Sequence, residues 1–158
     1  KNADGILLLS LISGRNAELL IGNHVQAAPI LKQSKLHIIP TGYILIESGM
    51  PTTVSYISNT TPIPANKPEI AACTALAGEQ LGLQCIYLEA GSGAQNVVPI
   101  STIKSVRKQI KTPLIVGGGI QSAQQIEQAF AAGADVVVIG TAIENDINFL
   151  DELKYIKK

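Results

Sequence analysis

Short apolar runs alternate with helical spacings along this chain, and that alternation limits its possible folds more than any other feature. Residues 6–9 are an unbroken apolar run, the kind a strand buried on both faces requires. Residues 36–46, 84–88, 114–116 and 135–139 repeat the signal. A helix or helix-like stretch follows each run, at 24–33, 68–81, after Ser101, after Ser122 and at 143–157. Strictly alternating βα units predict an α/β fold, a parallel sheet covered by helices. An open doubly wound sheet and a TIM (β/α)8 barrel are the two candidates. With no linker and no low-complexity segment, residues 1–158 read as a single domain.

Composition narrows the function. The chain is 46% hydrophobic and 15% charged, with formal net charge zero, so disorder is excluded. No basic patch marks a nucleic-acid partner, and no apolar run approaches the ~20 residues of a transmembrane segment. Cys73 and Cys85 lack metal-ligand spacing and read as buried free thiols of a reducing, cytoplasmic setting. His24 and His37 read as packing or surface residues.

Local signals set further expectations. Residues 53–57 are a β-like run suited to a hairpin arm, and residues 59–68 are a proline-rich loop. Asn66 is expected to cap the 68–81 helix in a capping box with Glu69, and Gly82 to end it. Ile70, Cys73, Ala77 and Leu81 would share its buried face. Ser101 is expected to cap a helix that buries Ile103, Val106 and Ile110. Ser122 and Gln125 form another capping box ahead of Gly133. The 143–157 helix would place Lys154, Lys157 and Lys158 near its C-terminal end.

The chemistry gathers behind the last three strands. There the chain reads Tyr87-Leu88-Glu89-Ala90-Gly91-Ser92-Gly93, then Gly117-Gly118-Gly119-Ile120, then Gly140-Thr141. Glycines let backbone N–H groups converge on an anion, and a helix N-terminus adds partial positive charge. No lysine or arginine lies in any of the three turns. A single glycine triplet is most simply a tight turn; three glycine turns at one end of a sheet predict a phosphate site. Glu89 is the one carboxylate among them. It reads either as an acceptor that ties down the next loop or as a general base beside a phosphate-bearing substrate. Tyr87 shares its strand face, and Ser92 is placed to donate to a phosphate oxygen.

The Tyr87–Gly93 run, Pro113-Leu114-Ile115-Val116-Gly117-Gly118-Gly119-Ile120, and Ala132-Gly133-Ala134-Asp135 leading to Gly140-Thr141-Ala142-Ile143-Glu144 together resemble the geranylgeranylglyceryl phosphate synthases. Leu9-Ser10-Leu11-Ile12-Ser13-Gly14-Arg15-Asn16 and Ile39-Pro40-Thr41-Gly42-Tyr43 agree with that. The resemblance implies a TIM barrel that transfers a geranylgeranyl group from geranylgeranyl diphosphate to the C3 hydroxyl of sn-glycerol 1-phosphate, with Mg²⁺ as cofactor and a homo-oligomeric state. It implies that Tyr87, Leu88, Glu89, Ala90, Gly91, Ser92, Gly93, Gly118, Gly119, Gly140 and Thr141 bind glycerol phosphate, with Glu89 as the base. A whole barrel needs about 250 residues. The length therefore predicts that only strands 4–8 are present, and that the metal ligands precede Lys1. The competing readings are another phosphate-binding barrel, such as a sugar-phosphate isomerase or a flavin-phosphate oxidoreductase, and a non-catalytic glycerol-phosphate-binding fragment.

Overall fold

The computed structural model describes residues 3–154 and residue 156. Five parallel strands form one sheet in sequence order: β1 (Gly5–Leu11), β2 (His37–Leu45), β3 (Cys85–Glu89), β4 (Leu114–Gly117) and β5 (Val136–Val138). Sequential order with helical crossovers is the simplest way to string βα units. A turn of π-helix, Glu18–Gly22, and α1 (Asn23–Ser34) join β1 to β2. After β2 come α2 (Thr53–Ser58) and α3 (Pro68–Gln80), and α4 (Ile100–Gln109) follows β3. Next are α5 (Ala123–Ala132) after β4, then α6 (Thr141–Asn145) and α7 (Phe149–Leu153) after β5. Among the described residues, no helix is long and apolar enough to cross a membrane.

The main core lies between one face of the sheet and helices α3, α4 and α5. Ile44, Ile86, Leu88, Leu114 and Val116 meet Ala71, Ala75, Ile103, Val106 and Ala129 there. The opposite face carries Ile39, Tyr43, Cys85, Tyr87 and Ile115. The expectation of five strands buried on both faces holds only in the middle. β3 and β4 are buried throughout, whereas Ile6, Leu7 and Leu9 on β1 and Val136 and Val138 on β5 are exposed. β1 and β5 are the edges of the sheet, with a neighbouring strand on one side only.

Other expectations are corrected too. Residues 53–57 belong to helix α2, not to a hairpin arm. The Thr52 N–H donates to Ser55 Oγ at 2.9 Å in a capping box, and Asn59 closes the helix in the left-handed region. β2 runs unbroken through Pro40, Thr41 and Gly42. Lys67, not Asn66, sits at the N-cap of α3, with Pro68 in the first turn and no side-chain cap. The buried face of α3 is Ala71, Ala72, Ala75 and Gly78; Ile70, Cys73, Ala77 and Leu81 point outward. A Cβ on Gly78 would stand 2.9 Å from Ile12 Cδ1, so small residues are what let α3 approach so closely. Cys73 is accordingly exposed, and only Cys85 is buried.

Pro99, not Ser101, precedes α4, while Ile103, Val106 and Ile110 are buried as expected. Ser122 Oγ accepts from the Gln125 N–H, and Gly133 ends α5 in the left-handed region. The Gln125 side chain reaches back to the Gln121 N–H at 2.8 Å. Among the described residues, the expected single 143–157 helix is replaced by two short ones, α6 and α7. Asp146 Oδ1 accepts from the Asn148 N–H at 2.9 Å, a local turn that competes with the helix. Lys154 follows α7; Lys157 and Lys158 lie outside the described residues.

Candidate phosphate-binding site

The C-terminal ends of β3, β4 and β5 meet α2 around a cavity of about 510 Å³. Register explains how. Tyr43 stands opposite Tyr87, and Leu45, Glu89, Gly117 and Val138 align across four strands. Side chains alternate along a strand, so Tyr87 and Glu89 both face the cavity, as their spacing predicts.

Of the eleven expected site residues, Tyr87, Glu89, Ser92, Gly93, Gly118, Gly119, Gly140 and Thr141 line the cavity. Leu88, Ala90 and Gly91 do not. The Leu88 and Ala90 side chains turn into the core beneath the helices. The Ala90 N–H is committed to the Gly117 carbonyl at 3.1 Å, and the Gly91 N–H to Glu89 Oε1 at 2.7 Å. By contrast, the amides of Ser92, Gly93, Gly118 and Gly119 have no hydrogen-bond partner among the described residues. Gly118 and Gly119 take φ of 88° and 71°, which keeps this turn open to glycine alone at little cost. Among the described residues, no lysine, arginine or histidine lines the cavity. Unpaired amides without a cation suit a phosphate or a similar anion.

Glu89 is 7% exposed. Burial pushes its carboxyl above the usual range, while the Tyr87 hydroxyl and the Gly91 N–H, both donating to it, pull the other way. Of the two sequence readings of Glu89, the acceptor that ties down the next loop is visible in this geometry. Oε1 ties down the loop, and Oε2 sits on the Gly117 side, where a Cβ would lie 3.0 Å away. A carboxylate made more basic by burial is suited to accept a proton from a hydroxyl. Burial, and next the Glu89 charge, raise the Tyr43 and Tyr87 phenols far above their usual range, so both stay protonated, and Tyr87 donates to Glu89.

The sequence reasoning missed Tyr43, Thr53, Val54, Ile57, Ile120, Gln121 and Val138, which complete the lining. Tyr43 ends the Ile39–Tyr43 motif, but only the β2–β3 register shows which way it faces. Thr53, Val54 and Ile57 were hidden by their β-like composition. Among the described residues, no three His, Cys, Asp or Glu side chains cluster to hold a metal ion. Glu89 stands without a second carboxylate, so these residues do not fit a Mg²⁺ site.

The whole chain, residues 1–158, matches the PcrB family. The chain belongs to that family. Similar curated members are geranylgeranylglyceryl phosphate synthases. The one from Spirosoma linguale is 59% identical over 152 residues, which is 96% of this chain and 61% of that protein. The one from Pyrococcus furiosus is 46% identical over 145 residues, 92% of this chain and 57% of that protein. The chain thus spans about 60% of the length of these members. Among solved structures, it superimposes on the synthase of Thermoplasma acidophilum in complex with sn-glycerol-1-phosphate. There the TM-score is 0.91 and the identity 33%, covering 98% of this chain and 64% of that one.

Proposed function

We propose that the cavity holds sn-glycerol 1-phosphate for prenyl transfer, within a protein that uses geranylgeranyl diphosphate as donor. The observation that carries this reading is one buried carboxylate, raised in pKa, in a cavity where the amides of Ser92, Gly93, Gly118 and Gly119 are unpaired and, among the described residues, no cation lines the wall. The phosphate sits on the turns Ser92-Gly93, Gly118-Gly119 and Gly140-Thr141. The C3 hydroxyl points to Glu89, with the Tyr87 phenol beside it. Glu89 Oε2 takes the hydroxyl proton as the oxygen bonds to C1 of the prenyl group. The C1–O bond to the diphosphate breaks, and pyrophosphate leaves with the electron pair.

We propose an architecture to match. The five strands are strands four to eight of a (β/α)8 barrel, whose phosphate site is typically built by the loops after strands seven and eight. In that frame Gly117-Gly118-Gly119 and Gly140-Thr141 are those two loops. A Mg²⁺ requirement is carried by the family resemblance and by no residue described here.

The test uses the full-length protein that contains this chain, purified and supplied with sn-glycerol 1-phosphate, geranylgeranyl diphosphate and Mg²⁺. Ether-lipid product and pyrophosphate are expected in equal amounts. Glu89→Gln is expected to lower turnover by roughly 10²–10⁴-fold, the contribution of a positioned general base, with glycerol phosphate still bound in calorimetry. Full activity in that variant removes Glu89 as the base. Binding without pyrophosphate release from the unmodified protein removes the transferase reading.

A further inference from the structure

Tyr43 has no assigned part in this chemistry, yet it is built against the group that does. It stands opposite Tyr87 in the β2–β3 register, and the two rings meet edge to face with centroids 5.2 Å apart and planes at 67°. Ile115 lies opposite Tyr87 on the other side, from β4. At the far end of the ring, a Cβ on Gly117 would come within 2.7 Å of the Tyr87 hydroxyl. The Tyr87 ring is therefore walled by Tyr43 and Ile115, and its hydroxyl occupies space that only a glycine leaves free. The Tyr43 hydroxyl itself has no hydrogen bond among the described residues. Its ring, not its oxygen, is what the chain uses.

We infer that Tyr43 is a positioning residue whose ring holds the Tyr87 phenol on the Glu89 carboxylate. The inference rests on the proposed role of Glu89 as base. Edge-to-face pairs of this geometry add a modest, direction-dependent attraction beyond simple burial. Losing the Tyr87 donor would leave Glu89 more basic, because that donation opposes the effect of burial. Among the described residues, the titratable groups facing Glu89 are Tyr43 and Tyr87. Thr53, Val54 and Ile57 of α2, the Gly118-Gly119 turn and Val138 of β5 bring none.

The test compares Tyr43→Phe, Tyr43→Leu, Tyr87→Phe and the Tyr43→Leu/Tyr87→Phe double variant in the full-length protein. Two readouts are taken: the pH profile of prenyl transfer, and the titration of the Glu89 carboxyl by carbon-13 NMR, assigned by its loss in Glu89→Gln. Tyr43→Leu and Tyr87→Phe are both expected to move the acidic limb and the carboxyl titration to higher pH. For Tyr43→Leu, kcat near neutral pH should fall roughly tenfold and recover as pH rises, with KM for glycerol phosphate changing less than about threefold. Tyr43→Phe should resemble the unmodified protein. The double variant should match Tyr87→Phe alone, because the two changes break one interaction. Additive effects, or a Tyr43→Phe variant as impaired as Tyr43→Leu, overturn the inference; the latter means the hydroxyl touches substrate. If Tyr43→Leu does not fold, Tyr43→Met fills the same space without a ring edge and takes its place. A protein with no prenyl transfer defeats the proposed function, while the NMR titration still decides the role of Tyr43.

Discussion

Glu89 ties down the loop after β3 at a cost in stability. Burial raises its carboxyl in the folded protein, so its contribution to stability is full below the unfolded value and is lost as pH rises through the folded one. A neutral glutamine keeps an acceptor for the Gly91 N–H without carrying the buried charge. Glu89→Gln is therefore expected to melt at a higher temperature than the unmodified protein near neutral pH. Thermal melts between about pH 4 and pH 8 should show the difference vanish toward the unfolded carboxylate value of about 4.3. Gly118 makes the opposite demand. A Cβ there would stand 2.5 Å from Glu89 Oε1 and 2.7 Å from the amides of Ala90 and Gly91, at a φ of 88°. Gly118→Ala should cost about 2–4 kcal/mol in denaturant unfolding, from left-handed strain plus displaced backbone. It should also abolish calorimetric binding of glycerol phosphate.

Among the elements, α3 shows where periodicity misleads. Large apolar residues mark one face and small ones another, and the structure buries the small face. Ile70 and Leu81 are left outside, with Leu81 82% exposed. The wrong face followed from weighting hydrophobicity alone, when the close approach of α3 to Ile12, Leu83 and Ile86 admits only small side chains. Cys73 tests this directly. It should react with a thiol reagent in the native protein at close to the rate of an exposed cysteine, while Cys85, buried and with its thiol pushed up in pKa by burial, reacts only on unfolding. Fast reaction of both, or of neither, would put α3 in another orientation. The ends of α4 and β5 are tied by a different device. The Arg107 guanidinium donates to Asp135 Oδ2 at 2.9 Å and to the carbonyls of Ile110 and Thr112. Nothing in the local pattern announces the Arg107–Asp135 arm of that clasp, because those two residues lie 28 positions apart in sequence.

Across the whole molecule, burial falls from the centre of the sheet to its edges. β3 has strands on both sides and side chains buried on both faces, whereas β1 and β5 have one neighbour each. Amide hydrogen exchange of this chain should therefore be slowest in β3 and fastest in β1 and β5. Uniform protection across all five strands would contradict the gradient. The βα alternation, the five strands, the glycine turns behind the last three and the pairing of Tyr87 with Glu89 were all legible in the sequence. They follow from local rules: apolar runs make buried strands, glycines make open turns, and residues two apart on a strand share a face. The face of α3, the helical state of residues 53–58, the split of the last helix and the place of Tyr43 beside Tyr87 were not. Each depends on what lies across from a residue, not on what lies beside it in the chain. Strand register and the distance between packed layers decide that, and both are set only when the sheet and its helices meet.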